Sequence, residues 1–232
     1  MNIVEAKGLS KTYRISDREI PVLADISLKV RLGEFLVIEG SSGSGKTTLL
    51  SLLSGLDKPT EGRIVVDGED ITDVAEDDLA SMRNQLFGFV FQSFHLVPSL
   101  SALENVMFPA ELRRDRQAKQ KALDLLQRVG LSHRVENFPH QLSGGEMQRV
   151  AICRALINHP RIIFADEPTG NLDSQNGSAI LELLTEFHRE QGSTMILVTH
   201  NQEIAARADR IVLLEDGRIN GVRDKDQRHV PR

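Results

Sequence analysis

Residues Gly40 to Leu50 read GSSGSGKTTLL. Within this stretch Gly40, Gly45, Lys46 and Thr47 satisfy the pattern G-x-x-x-x-G-K-[ST]. Glycines at these places let backbone N–H groups turn inward around a phosphate without clashes from Cβ atoms. The helix predicted to begin near Gly45 adds the positive end of its dipole. Lys46 is expected to reach the β- and γ-phosphates of a nucleotide, and Thr47 to offer its hydroxyl to Mg2+. Ser41, Ser42, Gly43, Ser44 and Thr48 complete the candidate loop. A run of glycine and serine also suits a flexible linker. This one, however, joins a strand-like run, EFLVIEG, directly to a helix-like run, GKTTLLSLLSGL. That context predicts nucleoside triphosphate binding instead.

The metal of such a site needs a carboxylate, and RIIFADE supplies it. The apolar residues bury the strand and leave Asp166 at its carboxyl end, where ligands of open α/β sheets bind. Asp166 is expected to hold Mg2+ through its water shell. Glu167, one residue on, can face the γ-phosphate and polarise the attacking water. A third stretch, LSGGEMQRVAICRAL, starts a helix at Ser143 to Glu146. Ser143 is a capping hydroxyl, and Gly144 and Gly145 leave a second anion-ready helix start, far from the first in sequence.

These groups need a scaffold to aim them. The runs IVEAKGL, LADISLKV and EFLVIEG read as strands, and GRIVVDG and LFGFVFQ as further ones. From about Pro98 to Gly130 the chain turns helical, with leucines at three- and four-residue spacing in QAKQKALDLLQRVG. A helix after LSGGE, the strand RIIFADE, the helix SAILELLTEFHRE, the strand TMILVTH, a short helix and the strand RIVLLED complete the order. Apolar strands alternating with helices predict an α/β fold with a mainly parallel sheet covered on both faces.

Bulk properties narrow the class. The 232 residues allow one larger domain or two small ones. A net charge of −5 argues against a general nucleic-acid binder, which carries a basic surplus. The single cysteine, Cys153, excludes an internal disulfide and fits a reducing compartment; it reads as a small buried residue. Glu5 and Lys7 stand where a signal peptide needs its apolar stretch, and no apolar run reaches the roughly 18–20 residues of a membrane helix. A soluble, cytoplasmic protein is expected, with a polar tail at about residues 222–232.

Taken in order, the phosphate loop, LSGGE and the strand ending in Asp166-Glu167 resemble the ATP-binding-cassette (ABC) ATPases over nearly the whole chain. The resemblance implies a P-loop NTPase fold of ABC type in one domain, residues 1–232. It would have a RecA-like, mainly parallel sheet core, an N-terminal antiparallel β subdomain and a helical subdomain at about 93–158. Tyr13 matches the aromatic residue that stacks on adenine. Gln92, in FVFQSF, matches the glutamine that joins Mg2+ or the water to the helical subdomain. GNLD, Gly170 to Asp173, matches the loop through which each cassette touches the other's site, and His200, in LVTHN, matches the histidine that reaches the γ-phosphate. The family implies a head-to-tail homodimer closed by two ATP molecules, each held between the phosphate loop of one copy and the LSGGE of the other.

The stretches GSSGSGKTTLLSLLSGLDKPTEG and ADEPTGNLDS, with RISDREIPVL after Tyr13, resemble the lipoprotein-releasing and macrolide-exporter group (LolD/MacB-like). GFVFQSFHLVPSLSALENVMFPAELR resembles its YbbA-type branch. That implies a separate integral membrane permease with a large extracytoplasmic domain and no nucleic-acid partner. The cassette would lie on the cytoplasmic face of the inner membrane, driving export or mechanical work across it. A soluble ABC ATPase acting on a non-membrane macromolecular complex stays open as the alternative, although such proteins usually carry tandem cassettes or long insertions. Phe94, Leu96, Val97, Leu100 and Phe108 either pack inside the helical subdomain or line a groove for a short permease helix, Leu96 and Val97 first among them.

Overall fold

The computed structural model describes residues 1–16 and 18–225. In chain order the elements are β1 (Asn2–Ile15), β2 (Arg18–Arg31), β3 (Phe35–Glu39), α1 (Lys46–Leu53), β4 (Glu61–Val66) and β5 (Glu69–Asp70). Next come α2 (Glu76–Leu86), β6 (Phe87–Phe91), α3 (Ala102–Leu112), α4 (Ala118–Arg128), α5 (Gly144–Leu156) and β7 (Ile162–Asp166). The chain continues through α6 (Ser174–Gln191), β8 (Thr194–Thr199), α7 (Gln202–Arg207), β9 (Arg210–Glu215) and β10 (Arg218–Asp224). It divides into two compact units, Met1–Arg83 with the chain from Thr194 onward, and Asn84–Ser193.

In the first unit β1 pairs antiparallel with both β2 and β4, and β4 with β5. Bulges at Ala6/Leu9, Leu9/Lys11 and Lys11/Thr12 bend β1 while its inward residues Ile3, Val4, Ala6 and Leu9 stay buried. The second layer is different in kind. β3 runs parallel to β8 on one side and to β9 on the other, and β10 closes the edge antiparallel. Leu36, Val37 and Ile38 are fully buried, as are Met195 to Val198. Continuous apolar runs of this sort belong to strands covered on both faces. Helix α1 packs Leu49, Leu50, Leu52 and Leu53 inward.

The second unit pairs β6 parallel with β7. Phe87 meets Phe164 edge-on, with ring centroids 5.2 Å apart. Helix α5 closes directly onto β6 because residue 88 is glycine: a Cβ there would stand 2.4 Å from the Ala155 carbonyl oxygen. Helices α3 and α5 both start with a capping box, Ser101 with Glu104 and Ser143 with Glu146. Helix α6 starts on Asp173, whose carboxylate accepts from Asn176 N–H.

The expected strands and helices are present, with parallel pairing inside each unit. Three elements escaped the sequence pattern, among them the two-residue strand β5. Helix α2 buries only Leu79 and relies on Glu76, Asp77 and Asp78 in its first turn and Arg83 in its last. Strand β10 takes residues 222–224, expected in the polar tail, into a ladder on β9; residues 226–232 lie outside the described residues. No helix among the described residues is long and apolar enough to cross a membrane.

Candidate functional site

The first unit carries the phosphate loop between β3 and α1. Gly45 adopts φ 98° at the helix start, and a Cβ there would lie 2.8 Å from Leu23 Cδ2 and 3.1 Å from the Val22 carbonyl oxygen. A Cβ on Gly40 would lie 2.3 Å from the Leu214 carbonyl oxygen. The loop is therefore wound tighter than side-chain-bearing residues allow. Lys46 is nearly buried, and its ammonium donates to the carbonyls of Gly40 (3.0 Å) and Ser41 (2.8 Å). Ser44 Oγ is buried with no hydrogen-bond partner, and α1 has no acidic residue in its first turn. A buried cation, an unsatisfied hydroxyl and an unneutralised helix N-terminus fit a phosphate group.

Two further expected residues share that unit. Glu39 lies opposite Thr199 in the β3–β8 ladder, so Gly40 and His200 leave the same ends of neighbouring parallel strands. The turn at His200 is fixed by Thr199 Oγ1, which accepts from Asn201 N–H, and by Asn201, which caps α7. Tyr13, on β1, donates its hydroxyl to Asp57 (2.8 Å), while Lys11 both pairs with Asp57 (2.7 Å) and sits 4.8 Å from the tyrosine ring centroid. Burial, then the Asp57 contact, raise the phenol's pKa, and a hydrogen bond from Thr48 works against them. The ring is thereby tied to the first turn of α1.

The second unit gathers the remaining expected residues. Phe91 lies opposite Asp166 in the β6–β7 ladder, which sends Gln92 and Glu167 off the same strand ends. Glu167 holds φ 44°, a left-handed backbone unusual for a side-chain-bearing residue, and its carbonyl accepts from Gly170 N–H (2.9 Å). Gln92 Nε2 donates to Asn171 Oδ1 (3.1 Å), and Asn171 Nδ2 returns a bond to the Gln92 carbonyl (3.0 Å). Residue 170 has to be small, since a Cβ would lie 2.8 Å from Gln92 Nε2. Ser143 and Glu146 cap α5 reciprocally, and Arg134 pairs with Glu146 (3.0 Å). The Ser143 backbone bond, opposed by burial and aided by the Ser143 hydroxyl and Arg134, holds the Glu146 carboxyl below its usual range. Gly144 and Gly145 open the helix, and a Cβ on Gly145 would lie 2.9 Å from Asn176 Oδ1, next to Asp173.

Among the described residues no group of three or more His, Cys, Asp or Glu side chains is arranged to hold a metal by itself. Mg2+ usually takes only one or two carboxylates together with substrate phosphates, so a site for it needs no such cluster.

Three structural residues were not read from the sequence. Asn105, on α3, is fully buried: it accepts from Val97 N–H and donates to the carbonyls of Val97, Leu100 and Ser101. It thereby shapes the segment whose Val97 is exposed, with Phe94, Leu96 and Leu100 half-buried; Phe108, farther along α3, is exposed. Arg154 donates to the carbonyls of Phe94 (2.9 Å) and His95, both left-handed. Gln148 is fully buried on the inner face of α5. The only signal was a polar residue at an otherwise apolar helical position.

A family model described as ABC transporter matches residues 23–170. The macrolide export ATP-binding/permease protein MacB of Syntrophobacter fumaroxidans is 48% identical over 223 residues, 94% of this chain and 31% of that protein. The lipoprotein-releasing system ATP-binding protein LolD of Shewanella sp. (strain MR-7) is 46% identical over 97% of this chain and 98% of its own length. The chain thus spans less than a third of that MacB and almost all of that LolD. Among solved structures, the ATP-binding cassette MJ0796, dimeric and bound to ADP and Pi, superposes with a TM-score of 0.89 at 40% identity, covering 96% of this chain and 98% of that one. The fold is accordingly the P-loop ABC ATPase fold, with a RecA-like core, an N-terminal β subdomain and a helical subdomain. With this fold and these motifs, the chain belongs to the ATP-binding subunits of the ABC-transporter family, in the MacB/LolD group.

Proposed function

We propose that this chain binds and hydrolyses ATP to drive a separate membrane permease in an export or mechanotransmission system. The observation that carries the reading is the Lys46 ammonium, nearly buried in a glycine-walled loop, where it donates to the carbonyls of Gly40 and Ser41. Carbonyls are neutral partners, and a phosphate would exchange them for a charge-assisted contact. Ser41, Ser42, Gly43, Ser44 and Thr48 line the same loop, and Tyr13 offers its ring to the base.

Thr47 in the first unit, and Asp166 and Gln92 in the second, would each serve as a group for Mg2+. The ion, when bound, neutralises phosphate charge in the transition state. Glu167 accepts a proton from, or orients, the attacking water, and His200 donates toward the terminal phosphate. Ser143, Gly144, Gly145 and Glu146 serve the nucleotide of a second copy, and Asp173 sits in the loop facing that copy. The dimeric state of MJ0796, bound to ADP and Pi, supports the pairing of two copies. The MacB relative, an ATP-binding/permease protein, supports a membrane permease as partner. The motif resemblance leads us to propose that this permease has a large extracytoplasmic domain, that the cassette lies on the cytoplasmic face of the inner membrane, and that nucleic acid is no partner. We place the chain in the YbbA-type branch from GFVFQSFHLVPSLSALENVMFPAELR, with residues 93–158 as its helical subdomain within one cassette domain.

Mixing two inactive variants tests the reading. Lys46→Ala removes phosphate binding, whereas Ser143→Arg spares it and blocks closure. A mixed dimer then has one site with both lesions and one with neither. Partial ATPase activity on mixing is expected; none, with mixed dimers demonstrated, refutes the trans arrangement.

A further inference from the structure

Gln148 is fully buried on α5, in the helix that Ser143 begins. Its Nε2 donates to the Pro168 carbonyl at 2.7 Å and, at a longer 3.4 Å, to the Phe91 carbonyl. Both neighbours are acceptors, so chemistry requires the nitrogen end of the carboxamide to face them. The other end, Oε1, is buried with no hydrogen-bond partner. A hydrocarbon of the same length would fill the space without stranding that acceptor. What glutamine adds is a pair of donors.

The two carbonyls belong to the segments that carry the proposed chemistry. The Phe91 carbonyl is part of the peptide bond to Gln92, and Pro168 directly follows Glu167. Glu167 is left-handed at φ 44°, a conformation that persists only where its surroundings impose it. The same two segments are joined once more by the Gln92–Asn171 carboxamide pair, which is exposed. Gln148 is the tie with a buried side chain, its bond to Pro168 shielded from competing water and its bond to Phe91 part-buried.

We propose that Gln148 is a positioning residue for ATP hydrolysis: one buried NH2 group holds the backbone beside Gln92 and the backbone beside Glu167 at a fixed separation. The proposal rests on the reading that Glu167 and Gln92 serve the water and the metal. It adds that the helix bearing LSGGE sets their spacing through this side chain, so movement of α5 is passed to both.

The test compares Gln148→Met, which keeps the length and loses both donors, with Gln148→Asn, which keeps the amide but falls short of Pro168. Steady-state ATPase kinetics, thermal midpoints and backbone hydrogen exchange over residues 89–95 and 166–173 are measured, with Glu167→Gln in parallel. A misplacement of this kind lowers kcat roughly 10–100-fold while KM for ATP stays within about threefold. Exchange should rise in both segments, with thermal midpoints close to the parent. Unchanged kcat or unchanged exchange overturns the proposal. So does loss of folding in both variants, or a rise in KM that accounts for the whole effect, because the role is then structural. Near-parental turnover of Glu167→Gln instead overturns the reading of Glu167, and the exchange data still decide whether Gln148 ties the two segments.

Discussion

Replacing Gly45 by alanine separates backbone strain from crowding in the phosphate loop. The native φ of 98° costs a side-chain-bearing residue about 1–2 kcal/mol. The new methyl would meet the Val22 carbonyl oxygen at 3.1 Å, which cannot swing away, and Leu23 Cδ2 at 2.8 Å, which can. That crowding adds about 1–2 kcal/mol, toward the lower end of overpacking costs. Alanine also stiffens the unfolded chain, which returns about 0.4–1 kcal/mol. The net is about 2 kcal/mol, equivalent to roughly 30-fold in Kd. If the loop keeps its shape, the cost appears in folding stability, as a fall in Tm of about 4–8 °C. If the loop relaxes toward negative φ, it appears in nucleotide affinity. Gly43→Ala is the control, because Gly43 has φ 81° but nothing within 4 Å of its Cβ position. Calorimetric ATP titration and thermal unfolding of both variants should therefore show the larger combined loss for Gly45→Ala. Equal losses, the reverse order, or a Gly45→Ala variant with parental Kd and Tm would refute the reasoning.

Tyr13 is the only tyrosine and the chain has no tryptophan, so absorbance near 295 nm reports this one phenol. Its titration midpoint is expected above the ordinary tyrosine value, through burial first and Asp57 second, and Asp57→Asn should bring it part of the way down. The raised pKa means the stabilisation is complete below the ordinary tyrosine pKa and is lost as pH rises through the folded-state value, so alkaline unfolding should be less steep in Tyr13→Phe. Arg154→Met leaves the left-handed carbonyls of Phe94 and His95 without their guanidinium donors and should cost about 2–3 kcal/mol in urea unfolding. A parental midpoint would show that the segment holds itself. Val97→Asp, at an exposed position, should leave basal ATPase activity intact and abolish stimulation by a co-reconstituted permease; unaltered stimulation would remove Val97 from the coupling surface.

The local backbone shapes around the candidate site residues were legible in the sequence because their constraints are local. G-x-x-x-x-G-K-T, RIIFADE and LSGGE each fix a backbone shape within a few residues, by glycine, by a continuous apolar run, or by a capping hydroxyl. The strands covered on both faces were legible for the same reason, since Leu36 to Ile38 and Met195 to Val198 have no polar face to hide. Helix α2 and strand β10 were not, because one buries a single leucine and the other alternates weakly with Val222 exposed. Tertiary structure alone decided the registers. Phe91 opposite Asp166, and Glu39 opposite Thr199, bring Gln92 beside Glu167 and Gly40 beside His200 across large gaps in sequence. It alone decided which polar side chains are buried as ties. Gln148, Asn105 and Arg154 stand out in the sequence only as polar residues at otherwise apolar helical positions, and what they tie is unreadable until the carbonyls they meet are known. Those carbonyls belong to the backbone, whose donors and acceptors are the same at every position, so no pattern of side chains announces where they will be left in need of a partner.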